Sequence, residues 1–258
     1  MKTFKPDIAL IIPAQNEEAA LPGVLTKLPA LFNRIIVVDN GSTDRTADVA
    51  AQLGAEVVYE PVAGYGRACL AGLASLEKNP PDIVAFVDAD GSDELSCLSD
   101  LIALVSKGEA DLALGCRIPV VTAALTFQQR FGHLLATCLI RLFWKHRFRD
   151  LGPMRVISWV VLNKLNMTDQ AFGWTVEMQI RALKQGLRIR EMDVPYYKRA
   201  AGKSKISRTV SGTFMAGSTI LWVIGRELLH GIYQKRKQAA PAYTVINAKP
   251  VQERRITP

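Results

Sequence analysis

Through the first 115 residues, short apolar runs alternate with segments of helical periodicity, and that alternation restricts the fold more than any other feature. The runs are Ile8 to Ile12, Arg34 to Asp39, Glu56 to Tyr59, Ile83 to Val87 and Asp111 to Gly115. Their length and β-branched content read as buried strands. Between them, Leu21 to Leu31, Asp44 to Leu53, Tyr65 to Ser75 and Asp93 to Ser106 carry apolar residues at spacings of three and four, as helices do. Pro22 suits a first helical turn, while Asp44 and Ser92-Asp93 offer N-cap oxygens to the second and fourth helices. Strand and helix in strict order imply an α/β fold with a mostly parallel sheet covered on both faces. In such sheets ligands bind beyond the carboxyl ends of the strands. Asn16-Glu17, Asp39 to Asp44 and Asp88 to Gly91 all fall there, so three loops bring acceptors to one crevice.

Size and composition agree with one large core: 258 residues, 49% hydrophobic and 22% charged. Disorder and collagen-like structure are excluded. Cys69, Cys97, Cys116 and Cys138 have no C-x-x-C spacing for zinc or redox chemistry, and read as reduced, packed thiols. Pro13 and the polar residues after it interrupt the first apolar run before a signal-peptide core could form, so secretion by that route is not expected. The net charge of +8 is split: residues 1–115 hold 8 Lys+Arg against 17 Asp+Glu, and residues 116–258 hold 24 against 7. An acidic half suits a metal ion, and a basic half suits phosphates or an anionic surface. With no zinc-finger, basic-zipper or RNA-recognition pattern, nucleic acid is not the expected partner.

Beyond Arg117 the pattern turns apolar and basic. Ala123 to Lys145 has helical spacing in Leu134, Leu135, Leu139, Leu142 and Phe143, with Arg130, Arg141, Lys145, His146 and Arg147 around it. Thr209 to Gly225 is a second, uncharged stretch ending at Arg226, too short and polar for a membrane span. Both read as amphipathic helices at a membrane interface, or as helices that cover the core or form a dimer. The tail after Tyr233 lacks periodicity and reads as flexible.

The sharpest chemical signal is Phe86-Val87-Asp88-Ala89-Asp90. Two carboxylates one residue apart at a strand end project to the same side and could hold one hard cation. Magnesium and manganese commonly share such ligands with substrate phosphates. Of Asp39 and Asp44, one reads as a helix cap and the other as an acceptor for a nucleobase or ribose. Gly64-Tyr65-Gly66-Arg67 could let backbone amides approach phosphate. A dinucleotide enzyme is disfavoured because Cys69 stands where a third glycine belongs, and no P-loop occurs. His133, His146 and His230 lack partners that suggest a site.

Ile12 to Glu18, Val38 to Asp44 and Asp88-Ala89-Asp90 together resemble, in order and spacing, the family 2 inverting glycosyltransferases of GT-A fold. Gly115-Cys116-Arg117, Asp150 to Arg155, Phe172 to Met178, Val194-Pro195 and Arg199 to Lys205 resemble the branch of dolichyl- and polyprenyl-phosphate sugar synthases. The resemblance spans roughly residues 7 to 210. It implies a GT-A glycosyltransferase domain over 1–207, comprising a nucleotide-sugar half (1–115) and an acceptor half (116–207). An amphipathic helix over 208–233 and a basic tail over 234–258 would follow.

The resemblance further implies that Pro13, Asn16, Glu17 and Asp39 surround the donor nucleotide, with Asp88 near its ribose or the metal and Asp90 on Mg²⁺ or Mn²⁺ at the diphosphate. Ser92 stands where the synthases commonly carry glutamine, so Ser92 or Asp93 are candidates for that ligand position. Asn40 stands where a second acid is frequent. A lipid phosphate acceptor is already ionised and needs no base; the matching cations are Arg117, Arg199, Lys203 and Lys205, with Ser204 as a further donor and Arg130 and Arg155 as secondary choices. A hydroxyl acceptor needs a base, for which Glu177 is the candidate, although it could equally serve a buried ion pair with Arg181. The expectation is hexose transfer from a nucleotide-diphosphate sugar to a polyprenyl phosphate by a peripheral protein on the cytoplasmic membrane face. The alternatives are a hydroxyl acceptor or a non-catalytic nucleotide-sugar or lipid-binding module.

Overall fold

Strand β1 (Ile8–Ala14) is apolar throughout because both of its neighbours are strands and both faces of the sheet are covered. The computed structural model describes residues 5–120, 127–200 and 217–230. Within them the chain runs through α1 (Leu21–Lys27), β2 (Arg34–Asp39), α2 (Thr46–Gln52), β3 (Glu56–Tyr59), α3 (Tyr65–Leu76) and β4 (Ile83–Phe86). It continues through a 3-10 turn (Leu95–Cys97), α4 (Leu98–Ser106), β5 (Leu112–Pro119), α5 (Phe127–Trp144), β6 (Arg155–Ser158), α6 (Trp159–Leu165), α7 (Trp174–Lys184) and β7 (Ile189–Tyr196). A last helix, α8, occupies 217–230.

The seven strands form one sheet in the order β3-β2-β1-β4-β6-β5-β7. Pairings among β1 to β4 are parallel, β6 is antiparallel to both β4 and β5, and β5 and β7 are parallel. Strand alternation sends Ile11, Val38 and Phe86 into a core with Cys69, Ile140, Trp174 and Ile180. Leu10, Ile12, Val37 and Ala85 face the opposite way, toward Leu21, Val24, Leu98 and Leu101. The β1, β2 and β4 ends therefore open at one edge, with a helix layer on each side.

Several boundaries differ from the sequence reading for identifiable reasons. Ser92-Asp93 does not cap the fourth helix. Glu94 caps a 3-10 turn that precedes α4, accepting the Ser96 amide at 3.3 Å, and α4 itself starts from Cys97 with no side-chain cap. Residues 92–94 are instead held against 195–197: Glu94 donates to the Pro195 carbonyl at 3.1 Å and Tyr197 to that of Ser92 at 2.8 Å. Strands β6 and β7 had no legible signal, since β6 is four residues long and β7 alternates charged Arg190, Glu191 and Asp193 through a sheet edge, where polar side chains are tolerated.

Within α8, Glu227 is 3% exposed and is held by Arg181 and Lys184 of α7. Helices α5 and α8 bury Ala136, Ile140, Val223 and Ile224, yet leave Leu134, Leu142, Trp222 and Leu229 at 60 to 69% exposure. Among the described residues no helix is long and apolar enough to cross a membrane.

Candidate active site

Loops at the carboxyl ends of β1 and β2 are stitched to one another before any ligand is considered. Asn16, at φ 52°, accepts the Thr43 amide at 2.7 Å and donates its own to Ser42 Oγ at 2.9 Å. The Glu17 amide donates to Thr46 Oγ1 at 2.8 Å. Asp39, 5% exposed, accepts the Ser42 amide at 3.0 Å. Asp44 accepts the Thr46 amide at 3.0 Å and the Thr46 hydroxyl, so Asp44 is the acid that serves the helix entrance. Asn40 binds the next loop, donating to the carbonyls of Glu60 and Val62 and accepting from Gly64. An amide can do all three, whereas a carboxylate in its place could not donate.

Beyond β4, Gly91 adopts φ +70°, which lets the chain turn back with Ala200 close by. Asp90, 4% exposed, accepts the Ser92 amide at 2.9 Å and pairs with Arg199 at 3.0 Å. The same guanidinium reaches Glu17 at 3.0 Å, so Arg199 spans the β1 and β4 loops. Asp88 Oδ1 is buried without a hydrogen bond. Burial, and then the charge of Asp90, push its carboxyl up to about 7. Asp93, 7% exposed, has both oxygens buried and unpartnered; burial and the Asp88 charge raise it well above the ordinary carboxylate range. Two acids at the strand end thus share one crevice with a third, incompletely neutralised.

Arg117 stands beside them but is already engaged. Asp150 takes its guanidinium twice, at 2.7 and 2.8 Å, and its backbone amide at 2.9 Å, while the Tyr196 ring lies 5.4 Å away. Burial works against the Arg117 cation, and the Asp150 hydrogen bonds outweigh it, raising the pKa. Asp150 had no assigned role in the sequence reading; 33 residues separate the pair, and no local spacing announces it.

Glu177 is engaged in hydrogen bonds and ion pairs within the chain. Its carboxylate, 0% exposed, accepts from the Thr168 amide at 3.0 Å, the Thr168 hydroxyl at 2.7 Å and the Asp169 amide at 2.8 Å. It also pairs with Arg181 at 2.8 Å and with Arg226. An acceptor engaged in this way pins the 168–169 backbone and α8 to α7. Arg155 is likewise structural: wholly buried, it donates to the carbonyls of Gly152, Pro153 and Thr175 and lies over Trp174.

The amides near Gly64 do not approach a phosphate either. Those of Gly66 and Arg67 donate to the carbonyls of Ala171 and Gln170. A side chain at Gly64 or Gly66 would strike the backbone oxygens of Gln170 and Asp169. Pro13 sits in β1 opposite Val38, next to the crevice loops. Lys203, Ser204 and Lys205, the side chain of Arg130 and the tail over 234–258 lie outside the described residues. Among those described, no group of three His, Cys, Asp or Glu is placed to hold a metal ion by itself.

Comparison with known proteins agrees with this geometry. The family model "Glycosyl transferase family 2" matches residues 9–158. An uncharacterized glycosyltransferase of Mycobacterium tuberculosis (strain ATCC 25618 / H37Rv) is 41% identical over 81% of this chain and 94% of its own. A dolichyl-phosphate hexose transferase of Haloferax volcanii is 26% identical over 83% and 92%. Among solved structures, glucosyl-3-phosphoglycerate synthase from M. tuberculosis, in complex with Mn²⁺, UDP and glucosyl-3-phosphoglycerate, aligns with a TM-score of 0.66 at 21% identity, covering 85% of this chain and 80% of that one. Mannosyl-3-phosphoglycerate synthase from Rubrobacter xylanophilus aligns with a TM-score of 0.68 at 18% identity, covering 86% and 74%. With its mostly parallel sheet, its acids at the carboxyl ends of the strands and the extent of these matches, the chain belongs to glycosyl transferase family 2.

Proposed function

We propose that this protein transfers a hexose, with inversion, from a UDP- or GDP-sugar to a polyprenyl phosphate, using Mg²⁺ or Mn²⁺, as a peripheral protein on the cytoplasmic face of a membrane. The observation that carries the reading is the Asp88–Asp90 pair beyond β4, facing the loops that end β1 and β2. Its donors are all oxygens, which suits a hard cation, and Asp88 Oδ1 is buried with no hydrogen-bond partner among the described residues. Asp88 and Asp90 would hold the ion together with diphosphate oxygens, as befits a metal that prefers to share its shell with substrate. Bound there, it would stabilise the charge of the departing nucleotide diphosphate. Pro13, Asn16, Glu17 and Asp39 would receive the nucleotide. In this reading residues 1–115 form the donor half and 116–207 the acceptor half.

Three observations favour a lipid phosphate. Glu177 is saturated by hydrogen bonds, and an ionised phosphate needs no base. Arg199 already reaches the crevice acids, and Lys203 and Lys205 follow it in sequence, a run of cations suited to phosphate. The exposed apolar residues of α5 and α8 suit an interface with lipid. The Haloferax relative named for dolichyl phosphate and the solved neighbour with Mn²⁺ and UDP support the same reading.

The test is a panel of labelled UDP- and GDP-sugars with polyprenyl phosphate and Mg²⁺ or Mn²⁺. Label is expected in the lipid fraction with at least one donor. Label in soluble saccharide alone would replace the acceptor, and nucleotide binding without turnover would make the protein a binding module.

A further inference from the structure

We infer that Asp93 is a specificity residue that accepts hydrogen bonds from hydroxyl groups of the transferred sugar; the inference rests on the donor chemistry proposed above. Asp93 is 7% exposed, and neither carboxyl oxygen has a hydrogen-bond partner among the described residues. Its backbone cannot swing the side chain into solvent, because Asp93 bridges Tyr196 while Glu94 and Ser92 are bonded to Pro195 and Tyr197. The charges acting on the buried carboxyl are those of Asp88, Arg117, Asp90 and Asp150, the groups around the end of β4.

Burying two acceptors without donors is costly, and the described residues offer no remedy of their own. Arg117 is nearby, but Asp150 holds its guanidinium on two nitrogens. Capping at the 3-10 turn belongs to Glu94. A cation shared by all three acids does not fit, since no group of three such residues among those described is placed to hold one. What remains is a ligand rich in neutral, directional donors. A sugar attached to a diphosphate at Asp90 supplies hydroxyl groups three residues along the same loop. Hydroxyl donors also discriminate, because an epimer that misplaces one leaves the carboxylate unpaired again.

The experiment compares wild type, Asp93→Asn and Asp93→Ala by calorimetry with Mn²⁺, using UDP-glucose, UDP-galactose and GDP-mannose beside UDP and GDP. Both variants are expected to bind the free nucleotide within about twofold of wild type, and the preferred nucleotide sugar about tenfold more weakly, the size of a lost hydrogen bond to a charged acceptor. Asparagine, which keeps one acceptor oxygen, should recover part of the loss. Asp93→Ala should also raise the melting temperature of the ligand-free protein by removing a buried carboxyl group that lacks a hydrogen-bond partner. Unchanged affinity for the nucleotide sugar, or an equal loss for the free nucleotide, would overturn the assignment of Asp93 while leaving the donor chemistry standing. Failure of the wild type to bind any of the five would overturn the donor reading itself.

Discussion

One guanidinium governs the charge balance of the crevice. Arg199 holds Asp90 and Glu17 at 3.0 Å each, so a divalent ion binding Asp90 must compete with it for the same carboxylate. Arg199→Ala should therefore tighten Mn²⁺ binding to the nucleotide-free protein several-fold and, on the proposed reading, reduce transfer. An unchanged Mn²⁺ isotherm would show that the guanidinium does not compete. The positions of the acids were legible: Glu17, Asp88 and Asp90 each follow a strand-like run and Asp39 ends one, and the parallel sheet puts those strand ends at one edge. Glu177, Arg117 and Arg155 were not. A charged residue in a helical or strand pattern looks alike whether it meets a ligand, a carboxylate 33 residues away or a set of backbone carbonyls.

At the scale of elements, two joints keep the site in shape. The first is the entrance to α3, where the chain passes so close to residues 169–170 that Gly66 has no room for a side chain. Gly66→Ala should lower stability by about 3 kcal/mol, measured by urea unfolding, because backbone cannot yield as a flexible side chain can. The sequence showed these glycines and suggested phosphate; only the neighbouring loop reveals that they serve packing.

The second joint is α8, held through Glu227 by Arg181 and Lys184. Burial alone would raise the Glu227 carboxyl, but the Lys184 hydrogen bond and the Arg181 charge outweigh it and leave it below its ordinary value of 4.5. A depressed carboxyl stabilises the fold above its unfolded pKa and loses that contribution as pH falls through the folded one. Hydrogen exchange over residues 217–230 should accordingly accelerate below about pH 4 relative to the sheet, in line with the ordinary carboxyl value. Glu227→Gln should bring a tenfold or larger acceleration at neutral pH. If exchange there is insensitive to both, Glu227 does not anchor the helix.

For the whole molecule, the arrangement is an acidic first half that forms the crevice and a basic second half whose helices leave apolar side chains uncovered. Leu142 and Trp222 are 69 and 65% exposed. Sedimentation with vesicles containing anionic lipid should recover the wild-type protein, and Leu142→Glu with Trp222→Glu should weaken that recovery at least tenfold, since each large side chain contributes about 2 kcal/mol on burial. Nucleotide binding should be unaffected. Equal recovery of the variant would remove these faces from the membrane proposal.

The sequence by itself determined the alternation of β1 to β4 with their helices, and with it the edge where the acids gather, because strand and helix periodicities are local and a parallel sheet sends its ligands to one end. The tertiary structure alone decided that β6 enters the sheet antiparallel between β4 and β5, that Glu177 ties α7 to α8, and that the Asp93 carboxyl is buried with no hydrogen-bond partner among the described residues. Those outcomes depend on pairings between residues far apart in the chain. They follow from which burial and hydrogen-bond requirements the folded chain can satisfy together, and no stretch of sequence carries that information alone.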